Sequence, residues 1–488
     1  MSMPKSYIFL LFFFCYSIAL LYFGKSGYSD NENVEDFFLD GKKMGLFACV
    51  STFVGTWFSA ASMQGLPGSI YTYGLTFVFY AVVPWFIGAG LLVVLTPKLR
   101  ASGALTLPAY FNVRYKSNML QVTTGILIMI TFILYIVIQI RGFGIVISEF
   151  LEIPYTLGIF IVYIFILYTT FGGLSSIAKS DGFNFIIICT GVFMTAVLLF
   201  SKLGEVSHFF EQASNIEGYA IKGFQYFTPK GSLLHPLAGG NMPVISLVSA
   251  FFGWGLGLAT NPQYTARIIA AKDDATAIKM IKRSVLLLSV VYAGVIFIGL
   301  GSRIIIPSIV GVDSVDAIMP FIVNSLFDTP VSGFVMLAII AAAISTANSQ
   351  LLVVSSSFIL DVYKILSPNQ YTDDKQLLMS RLVVFVAGSV SLVLAISPPE
   401  SLLIYGGYIW GIFSVTFLVP LYGGLFLSYA TRRSVMYSMG SGLLMMLILI
   451  IRSYGTNTIF AIHPAMPGVL ISVFVFWITA KLERNGVL

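Results

Sequence analysis

Long apolar runs recur from one end of the sequence to the other. A helix needs about 20 apolar residues to cross a bilayer core about 30 Å thick, and we count about thirteen such runs in the 488 residues. They occupy residues 7–23, 44–65 with a continuation to 73, 75–95, 119–148, 155–172, 181–201, 243–261, 281–306, 332–357, 380–396, 402–427, 435–451 and 466–480. Because helices satisfy their own backbone groups in lipid, this pattern predicts an all-α polytopic membrane protein.

The charged residues are few and lie between these runs. They make up 10% of the chain, against about 25% in soluble proteins. The net charge is +6, but the basic residues form no continuous patch, so we expect no nucleic-acid partner. If the N-terminus is outside, most Lys and Arg fall in cytoplasmic connections, as the positive-inside rule requires. We therefore expect an integral protein of the plasma (bacterial inner) membrane, surrounded by lipid, with its N-terminus outside and its C-terminus cytoplasmic.

The sequence offers little support for an enzyme. The cysteines Cys15, Cys49 and Cys189 lie in apolar segments and are expected to be small buried hydrophobes. The three histidines are far apart, so no catalytic metal cluster is predicted. No buried nucleophile and base are apparent, and there is no G-x-x-x-x-G-K-[ST] motif for ATP. We predict that the protein is not an enzyme.

Glycine and proline interrupt two of the apolar runs at matching positions. The second run contains Gly55, Gly65, Pro67 and Gly68; the seventh contains Gly253, Gly255, Gly257 and Pro262. A pair of interrupted segments in two halves indicates inverted repeats, because unwound backbone is tolerated in a membrane only where it lines a cavity. The alternative is that these residues are simply commoner in membrane helices.

The distribution of acidic residues favours a metal cation over a proton as the coupled ion. We place no acidic side chain near the bilayer midplane, where proton relays need one; Asp181 is expected at the start of the sixth span. A hard cation instead prefers oxygen ligands. Ser345 and Thr346 lie in the middle of the ninth run. Their hydroxyls either bond to a carbonyl of their own helix or face an ion site.

Four segments resemble the sodium/solute symporter family, which includes proline, pantothenate, monocarboxylate and sugar transporters. They are DFFLDGK at 36–42, YTTFGGLSSIAKSD at 168–181, NPQYTARIIAAK at 261–272, and AAISTANSQLL at 342–352, the last followed by SSS at 355–357 and DVYK at 361–364. The chain departs from the proline-type pattern at Trp57, where those members carry Asp, and at Lys179, where the family signature has Trp. Any role of that carboxylate is therefore missing here.

The resemblance implies a LeuT-type fold with a 5+5 inverted repeat and extra helices at both ends. The implied segments are an N-terminal helix with an acidic cytoplasmic loop (1–43), a first repeat (44–201), an extracellular loop (202–243), a second repeat (244–427) and two C-terminal helices (428–488). The family's sodium site would be formed by the carbonyls of Gly55, Phe58 and Ala342 and the hydroxyls of Ser345 and Thr346. Asp181 would help sodium to leave at the cytoplasmic mouth; alternatively, it is a helix N-cap paired with Lys179.

The function implied is sodium-coupled symport of a small organic solute into the cell by alternating access, with no obligate protein partner. The solute is expected to carry a carboxylate, as an amino acid, a pantothenate-like compound or a monocarboxylate does. The alternative is a solute sensor or receptor of the same fold without net transport. The ion that we expect the protein to bind is sodium.

Candidate substrate residues lie beside the two interrupted spans. They are Trp57, Ser59, Ser62, Gln64, Trp254, Thr260 and Tyr408. Each of them could instead be a packing residue. Arg141 is placed roughly 12 Å below the outer end of the fourth span, and no carboxylate of the chain is an obvious partner. We predict that Arg141 binds a substrate carboxylate in bidentate fashion; the alternative is that it snorkels to the outer interface.

Overall fold

The computed structural model describes residues 5–29, 34–204, 206–367, 372–397, 401–453 and 461–485. Residues 30–33 of the expected acidic loop lie outside the described residues. The predicted division of the chain into five segments stays a prediction.

The described residues of the first half of the chain form ten α-helices. They are α1 (Lys5–Ser29), α2 (Val34–Leu39), α3 (Leu46–Trp57), α4 (Leu66–Tyr73), α5 (Val83–Ala101), α6 (Leu107–Tyr115), α7 (Asn118–Leu151), α8 (Tyr155–Thr170), α9 (Gly173–Leu203) and α10 (Phe209–Asn215). Single π-helical turns, Ala61–Gly65 and Val78–Val82, lead into α4 and α5. Side-chain caps begin α6 and α7, where Thr106 and Ser117 accept from backbone N–H groups in the first turn. Such caps satisfy donors that have no partner within the helix.

In the second half, the described residues form eleven α-helices, preceded by a small hairpin. Strand β1 (Gly218–Tyr219) pairs antiparallel with β2 (Phe227–Thr228). The helices are α11 (Val244–Thr260), α12 (Pro262–Ala270), α13 (Asp274–Ile305), α14 (Ile318–Leu326), α15 (Thr329–Ser356), α16 (Lys364–Leu366), α17 (Asp373–Ala395), α18 (Leu402–Leu418), α19 (Gly424–Phe426), α20 (Arg432–Ser453) and α21 (Ala465–Arg484). π-Helical segments Ser357–Tyr363 and Val419–Gly423 follow α15 and α18.

The number of candidate spans is close to the predicted number of about thirteen. Within the described residues, eleven helices are long and apolar enough to cross a membrane, and the bent pair α3 and α4 together passes the same criteria. The described residues therefore contain eleven or twelve candidate spans, and the 16-residue apolar helix α8, which connects α7 to α9, is shorter than these. The most buried span is Pro330–Leu366, 83% buried, and the N-terminal span Tyr7–Lys25 is among the least, at 28%. Helix α15 therefore lies at the centre of the bundle, and α1 lies at its edge.

The two interrupted spans break differently from what their glycines predict. Helices α3 and α4 are bent by 59° around Phe58, whose backbone is extended (φ −83°, ψ 92°). The other span breaks only at Asn261, between α11 and α12. The expectation that Gly253, Gly255 and Gly257 unwind that span is wrong, because all three are helical.

These glycines serve close packing instead. A Cβ on Gly257 would lie 2.7 Å from the Trp410 carbonyl oxygen, and one on Gly88 would lie 2.2 Å from the Gly255 carbonyl oxygen. Small residues allow such close approach of membrane helices. Helix α11 is thereby held against both α5 and α18.

His463, in the turn before α21, is wedged between α11 and α18. It is 2% exposed, and its backbone N–H donates to Ser249 Oγ at 2.7 Å. A Cβ on Gly253, Gly407 or Gly411 would lie 2.3, 3.2 or 3.1 Å from the imidazole. The imidazole thus occupies a groove that exists because these residues have no side chains.

The bundle has two chemically distinct ends. At one, Arg100 donates to Asp274 and to the carbonyls of Ile268 and Ala271, and Arg114 donates to the carbonyl of Gly424; we name this the basic end. The other end holds the hairpin, the Val315–Ala317 turn and His463, and we name it the opposite end.

Candidate functional site

The five predicted sodium-site residues come from α3, the break that follows it, and α15. Ser345 Oγ and Thr346 Oγ1 donate to the Gly55 carbonyl at 2.9 and 3.1 Å, and each also donates to the Ala342 carbonyl at 3.1 Å. All of Ala342, Ser345 and Thr346 are fully buried. Each hydroxyl therefore bonds to its own helix and also contacts the Gly55 carbonyl at the break; that the two hydroxyls face an ion site stays a prediction. We name Gly55, Ala342, Ser345 and Thr346 the oxygen cluster.

The helix break explains why the Gly55 carbonyl is available. The last bond of α3 runs from Phe58 N–H to Val54 O at 2.8 Å, so the Gly55 carbonyl is the first one beyond it and lacks a helical partner. Phe58 is fully buried and begins the extended backbone; the role of its carbonyl stays a prediction. A cluster of hydroxyl and carbonyl oxygens suits a hard cation, and the described residues contain no group of three or more His, Cys, Asp or Glu that could hold a metal ion.

Asp181 lies beside this cluster and not at the mouth of a span. It is the ninth residue of α9, which begins at Gly173, and it is fully buried. Its Oδ2 accepts from Thr52 Oγ1 at 2.7 Å. A Cβ on Gly55 would lie 3.1 Å from Asp181 Cγ. Asp181 is therefore neither an N-cap nor at an exposed mouth. The reason is that the Gly172–Gly173 turn starts the helix two turns earlier than hydropathy predicts.

A second acidic residue is also buried in the bundle. Asp361, in the π-helical segment after α15, is fully buried, and its Oδ1 accepts from Thr106 Oγ1 at 2.5 Å and from Gln121 Nε2 at 2.9 Å. In the sequence, Asp361 lies just beyond the ninth apolar run (332–357). Hydropathy did not predict the π-helical segment that extends this span.

A polar layer that sequence reasoning missed lies between the oxygen cluster and the basic end. Arg267 on α12 is 1% exposed and donates to Ser349 Oγ on α15. Ser349 Oγ lies 2.8 Å from Thr56 Oγ1 on α3. Arg267 lies between the apolar runs 243–261 and 281–306, so hydropathy predicts a connection there, but α12 turns it into the bundle. Its place inside the 261–272 motif was the available signal.

The candidate substrate residues fall into separate groups. Trp57 and Trp254 belong to a buried aromatic cluster that also contains Trp85, Trp410 and Tyr264. Ring centroids lie 5.2 Å apart for Trp85–Trp254, 5.3 Å for Trp254–Trp410 and 6.0 Å for both Trp57–Tyr264 and Tyr264–Trp410. The indole N–H groups of Trp85 and Trp254 are buried without a hydrogen-bond partner. Four of the chain's 5 tryptophans therefore line one region next to the break.

The predicted polar residues differ in their surroundings. Ser59 is in the break itself and 2% exposed; Ser62 Oγ lies 3.0 Å from Tyr292 OH. Next to them, Gln139 Oε1 accepts from the Ala60 N–H at 3.2 Å. Thr260 donates to the Leu256 carbonyl of its own helix at 2.7 Å. Tyr408 packs elsewhere: its ring centroid lies 5.5 Å from that of His463.

Arg141 has a carboxylate partner, contrary to the expectation from the sequence. Its Nη2 lies 3.4 Å from Asp316 Oδ2, and the two side chains are 8% and 1% exposed. Gln64 Nε2 donates to the Asp316 carbonyl at 2.8 Å, so a third predicted residue joins this pair. The sequence could not reveal the partner, because Asp316 lies 175 positions along the chain in a connection between spans.

Comparisons with known proteins agree with this architecture. The model of the sodium:solute symporter family matches residues 37–442. A sodium/proline symporter of Staphylococcus aureus is 27% identical over 99% of this chain and 93% of its own length. A related protein of strain JH9 is 27% identical over 96% of the chain and 92% of its length. The chain therefore belongs to the sodium:solute symporter family.

Two solved structures show the same fold. A Na+-coupled sialic acid symporter, in a substrate-bound outward-open state, superposes with a TM-score of 0.78 at 18% identity, covering 97% of both chains. The nucleobase-cation symporter Mhp1, in a closed conformation, gives 0.53 at 14% identity over 92% of this chain and 96% of its own. The protein is thus an integral membrane transporter with the LeuT-type fold, and sodium-coupled symport of a small solute is confirmed as its function.

Proposed function

We propose that the protein carries a carboxylate-bearing solute into the cell together with sodium, by alternating access of one central site to the two sides of the membrane. The oxygen cluster is the observation that supports sodium binding. Two carbonyls and two hydroxyls from α3 and α15 meet at 2.9 to 3.1 Å, and neutral oxygens of this kind are ligands for a hard cation. Phe58 would add its carbonyl from the break, and Asp181, beside Gly55, would assist the ion's departure.

The solute would bind next to the sodium, between the break and the Arg141–Asp316 pair. Aromatic surfaces of Trp57 and Trp254 and the polar groups of Ser59, Ser62 and Gln64 would orient it. Arg141 would exchange Asp316 for the solute carboxylate, since a planar guanidinium matches a carboxylate with two parallel bonds. Thr260 and Tyr408 are the weakest members, because one bonds within its helix and the other packs on His463.

The proposed orientation puts the basic end in the cytoplasm of a bacterial inner membrane. Arg100, Arg114 and Lys272 all lie at that end, through contacts with α12, α19 and Met44. The positive-inside rule favours this orientation. The N-terminus is then outside, and the Arg141–Asp316 pair lies toward the external solution.

The sodium site is tested by replacing Ser345 and Thr346 with Ala in purified protein reconstituted into liposomes. Loss of one ligand should raise the sodium concentration for half-maximal uptake about tenfold, which corresponds to about 1.4 kcal/mol, and the double variant should raise it further. Ser414→Ala is the matched control, because Ser414 Oγ donates only to the Gly411 carbonyl of its own helix. An unchanged sodium dependence in the double variant would refute the assignment.

The same liposomes distinguish transport from sensing. Accumulation of solute against its gradient, driven by inward sodium, supports symport. Solute binding that depends on sodium without any accumulation would support a sensor of the same fold.

A further inference from the structure

The Arg141–Asp316 pair lies where four parts of the fold converge. Arg141 belongs to α7, Asp316 to the Val315–Ala317 turn, Gln64 to the π-helical turn before α4, and Leu402 to the first turn of α18. The backbone N–H of Leu402 donates to Asp316 Oδ2 at 3.0 Å, and Gln64 Nε2 donates to the Asp316 carbonyl at 2.8 Å. Asp316 is therefore fixed by its main chain and by one carboxylate oxygen.

Two acceptor atoms at this position have no donor. Asp316 Oδ1 and Gln64 Oε1 are both buried without a hydrogen-bond partner. A Cβ on Gly65 would lie 3.5 Å from Asp316 Oδ1 and 3.5 Å from Leu402 Cβ. A Cβ on Gly142 would lie 3.3 Å from Gln64 Oε1 and 3.5 Å from Leu402 Cδ1. Both oxygens therefore lie near the Leu402 side chain, beside backbone positions that carry no Cβ.

Such acceptors indicate what kind of group would bind there. A buried acceptor without a donor is unfavourable, and a buried carboxylate is more so. Arg141 compensates the burial of the Asp316 carboxylate only in part. The distance from Arg141 Nη2 to Asp316 Oδ2 is 3.4 Å, longer than the roughly 2.7–2.9 Å of a charge-assisted hydrogen bond. A group with several N–H donors and a positive charge would satisfy both oxygens.

The charges of the pair also restrict the solute. A solute that offered only a carboxylate to Arg141 would displace Asp316 and leave that carboxylate buried beside a second anion. Breaking a buried pair in this way is strongly unfavourable. A solute with a carboxylate and an ammonium group gives Arg141 a new anion and Asp316 a new cation, so neither side chain is left with an unpaired charge.

We propose that Asp316, together with Gln64, binds the ammonium group of the solute while Arg141 binds its carboxylate, so that the transported solute is a zwitterion of the amino-acid class. This deepens, and rests on, the proposed uptake of a carboxylate-bearing solute. Specificity arises from the mismatch: simple monocarboxylates leave Asp316 without its cation, and amines without a carboxylate leave Arg141 without its anion.

The test uses the full-length protein in liposomes on a solid-supported membrane, where sodium-coupled currents are recorded for each added solute. The probes are the twenty L-amino acids, their deaminated acids and their α-carboxamides. We expect sodium-dependent currents with one or more amino acids. Half-saturating concentrations for the matching deaminated acid and amide should be at least about 30-fold higher, or about 2 kcal/mol at 1.4 kcal/mol per tenfold.

Asp316→Asn separates an ammonium site from a merely structural residue. It retains an oxygen for the Leu402 N–H but removes the charge. We expect the half-saturating amino-acid concentration to rise about tenfold or more while that of the deaminated acid stays the same or falls, and Asp316→Glu should restore part of the preference. Asp361→Asn is the matched control, because Asp361 is also buried but contacts Thr106 and Gln121; it should leave the preference unchanged.

The outcomes are distinguishable. If deaminated acids give currents at the same concentrations as amino acids, the uptake of carboxylates stands and the ammonium site is wrong. The ammonium site is also wrong if Asp316→Asn weakens both solutes equally. If no probe with a carboxylate gives a sodium-dependent current, the proposed function itself fails.

Discussion

The oxygen cluster and the Arg141–Asp316 pair are two polar sites in one apolar bundle, and they are built on opposite principles. The first consists of hydroxyls and carbonyls that satisfy one another at 2.9 to 3.1 Å. The second consists of full charges 3.4 Å apart, with one carboxylate oxygen unpaired. A neutral site can bind a cation and release it without leaving a buried charge. A charged site instead discriminates between solutes by their charge.

The largest expected effect is at the charged site. Arg141→Ala leaves Asp316 buried without a counter-charge, which costs about 3–5 kcal/mol. We expect the solute affinity to fall by roughly 100-fold or more, and Arg141→Lys to restore little of it, because an ammonium cannot form the bidentate contact. Sodium binding, measured by the stabilisation of purified protein by sodium in a thermal unfolding assay, should change little. If Arg141→Ala leaves the solute affinity unchanged, the Arg141–Asp316 pair does not discriminate between solutes by charge, and its proposed difference from the oxygen cluster is wrong.

The next effect is at the oxygen cluster, through its backbone. In Gly55→Ala the new Cβ would lie 3.1 Å from Asp181 Cγ and 3.3 Å from Oδ1, so α3 and α9 must separate and the Gly55 carbonyl must shift. We expect the half-saturating sodium concentration to rise about tenfold without a change in solute affinity at saturating sodium. Gly90→Ala on α5 is the control, since nothing lies within 4 Å of its Cβ position. If the two variants behave alike, the close approach at Gly55 has no role in sodium binding.

A smaller effect is expected from the residue that holds Asp181. Thr52→Val removes the 2.7 Å hydrogen bond to Asp181 Oδ2, and a buried acceptor that loses its donor costs about 1–3 kcal/mol. If Asp181 assists sodium release, the maximal uptake rate should fall several-fold while the solute affinity is retained. Thr195→Val provides the comparison, because Thr195 Oγ1 donates within its own helix to the Gly191 carbonyl. An unchanged rate for Thr52→Val would show that Asp181 does not depend on this bond.

The smallest effect concerns external pH. Burial raises the pKa of Asp316 to about 6, against the lowering effects of Arg141 and the Leu402 N–H; Tyr73 and Gln64 also face it. Above pH 6 the carboxylate is ionised and can attract an ammonium; below pH 6 protonation removes that attraction. Half-saturating amino-acid concentrations should therefore rise about twofold as external pH falls from 7 to 6, where about half of the carboxylates are protonated. Asp316→Asn should abolish this dependence.

Hydropathy predicted the spans, and Gly and Pro predicted the bent α3–α4 pair, because both are local properties of the chain; the meeting of Ser345 with the break, 290 positions away, was implied only by the family motifs. They failed where the outcome depends on packing between distant segments. The glycines of α11 are helical because α5 and α18 approach them, and Arg267 is buried because α12 turns inward after Asn261. The partner of Arg141 comes from a connection between spans, and Asp181 is deep because α9 starts at a glycine turn. None of these contacts leaves a periodic signal.

The groove that holds His463 has a consequence for how the protein can be divided. The family model ends at residue 442, within α20, and does not include α21. Yet the segment leading into α21 inserts its imidazole against Gly253, Gly407 and Gly411, on the same two helices that carry Trp254 and Trp410. Truncation before residue 463 would uncover three glycines at once. The segment that leads into α21 therefore contributes to the packing of α11 and α18. Truncation or fusion of the chain near residue 463 will alter these two helices.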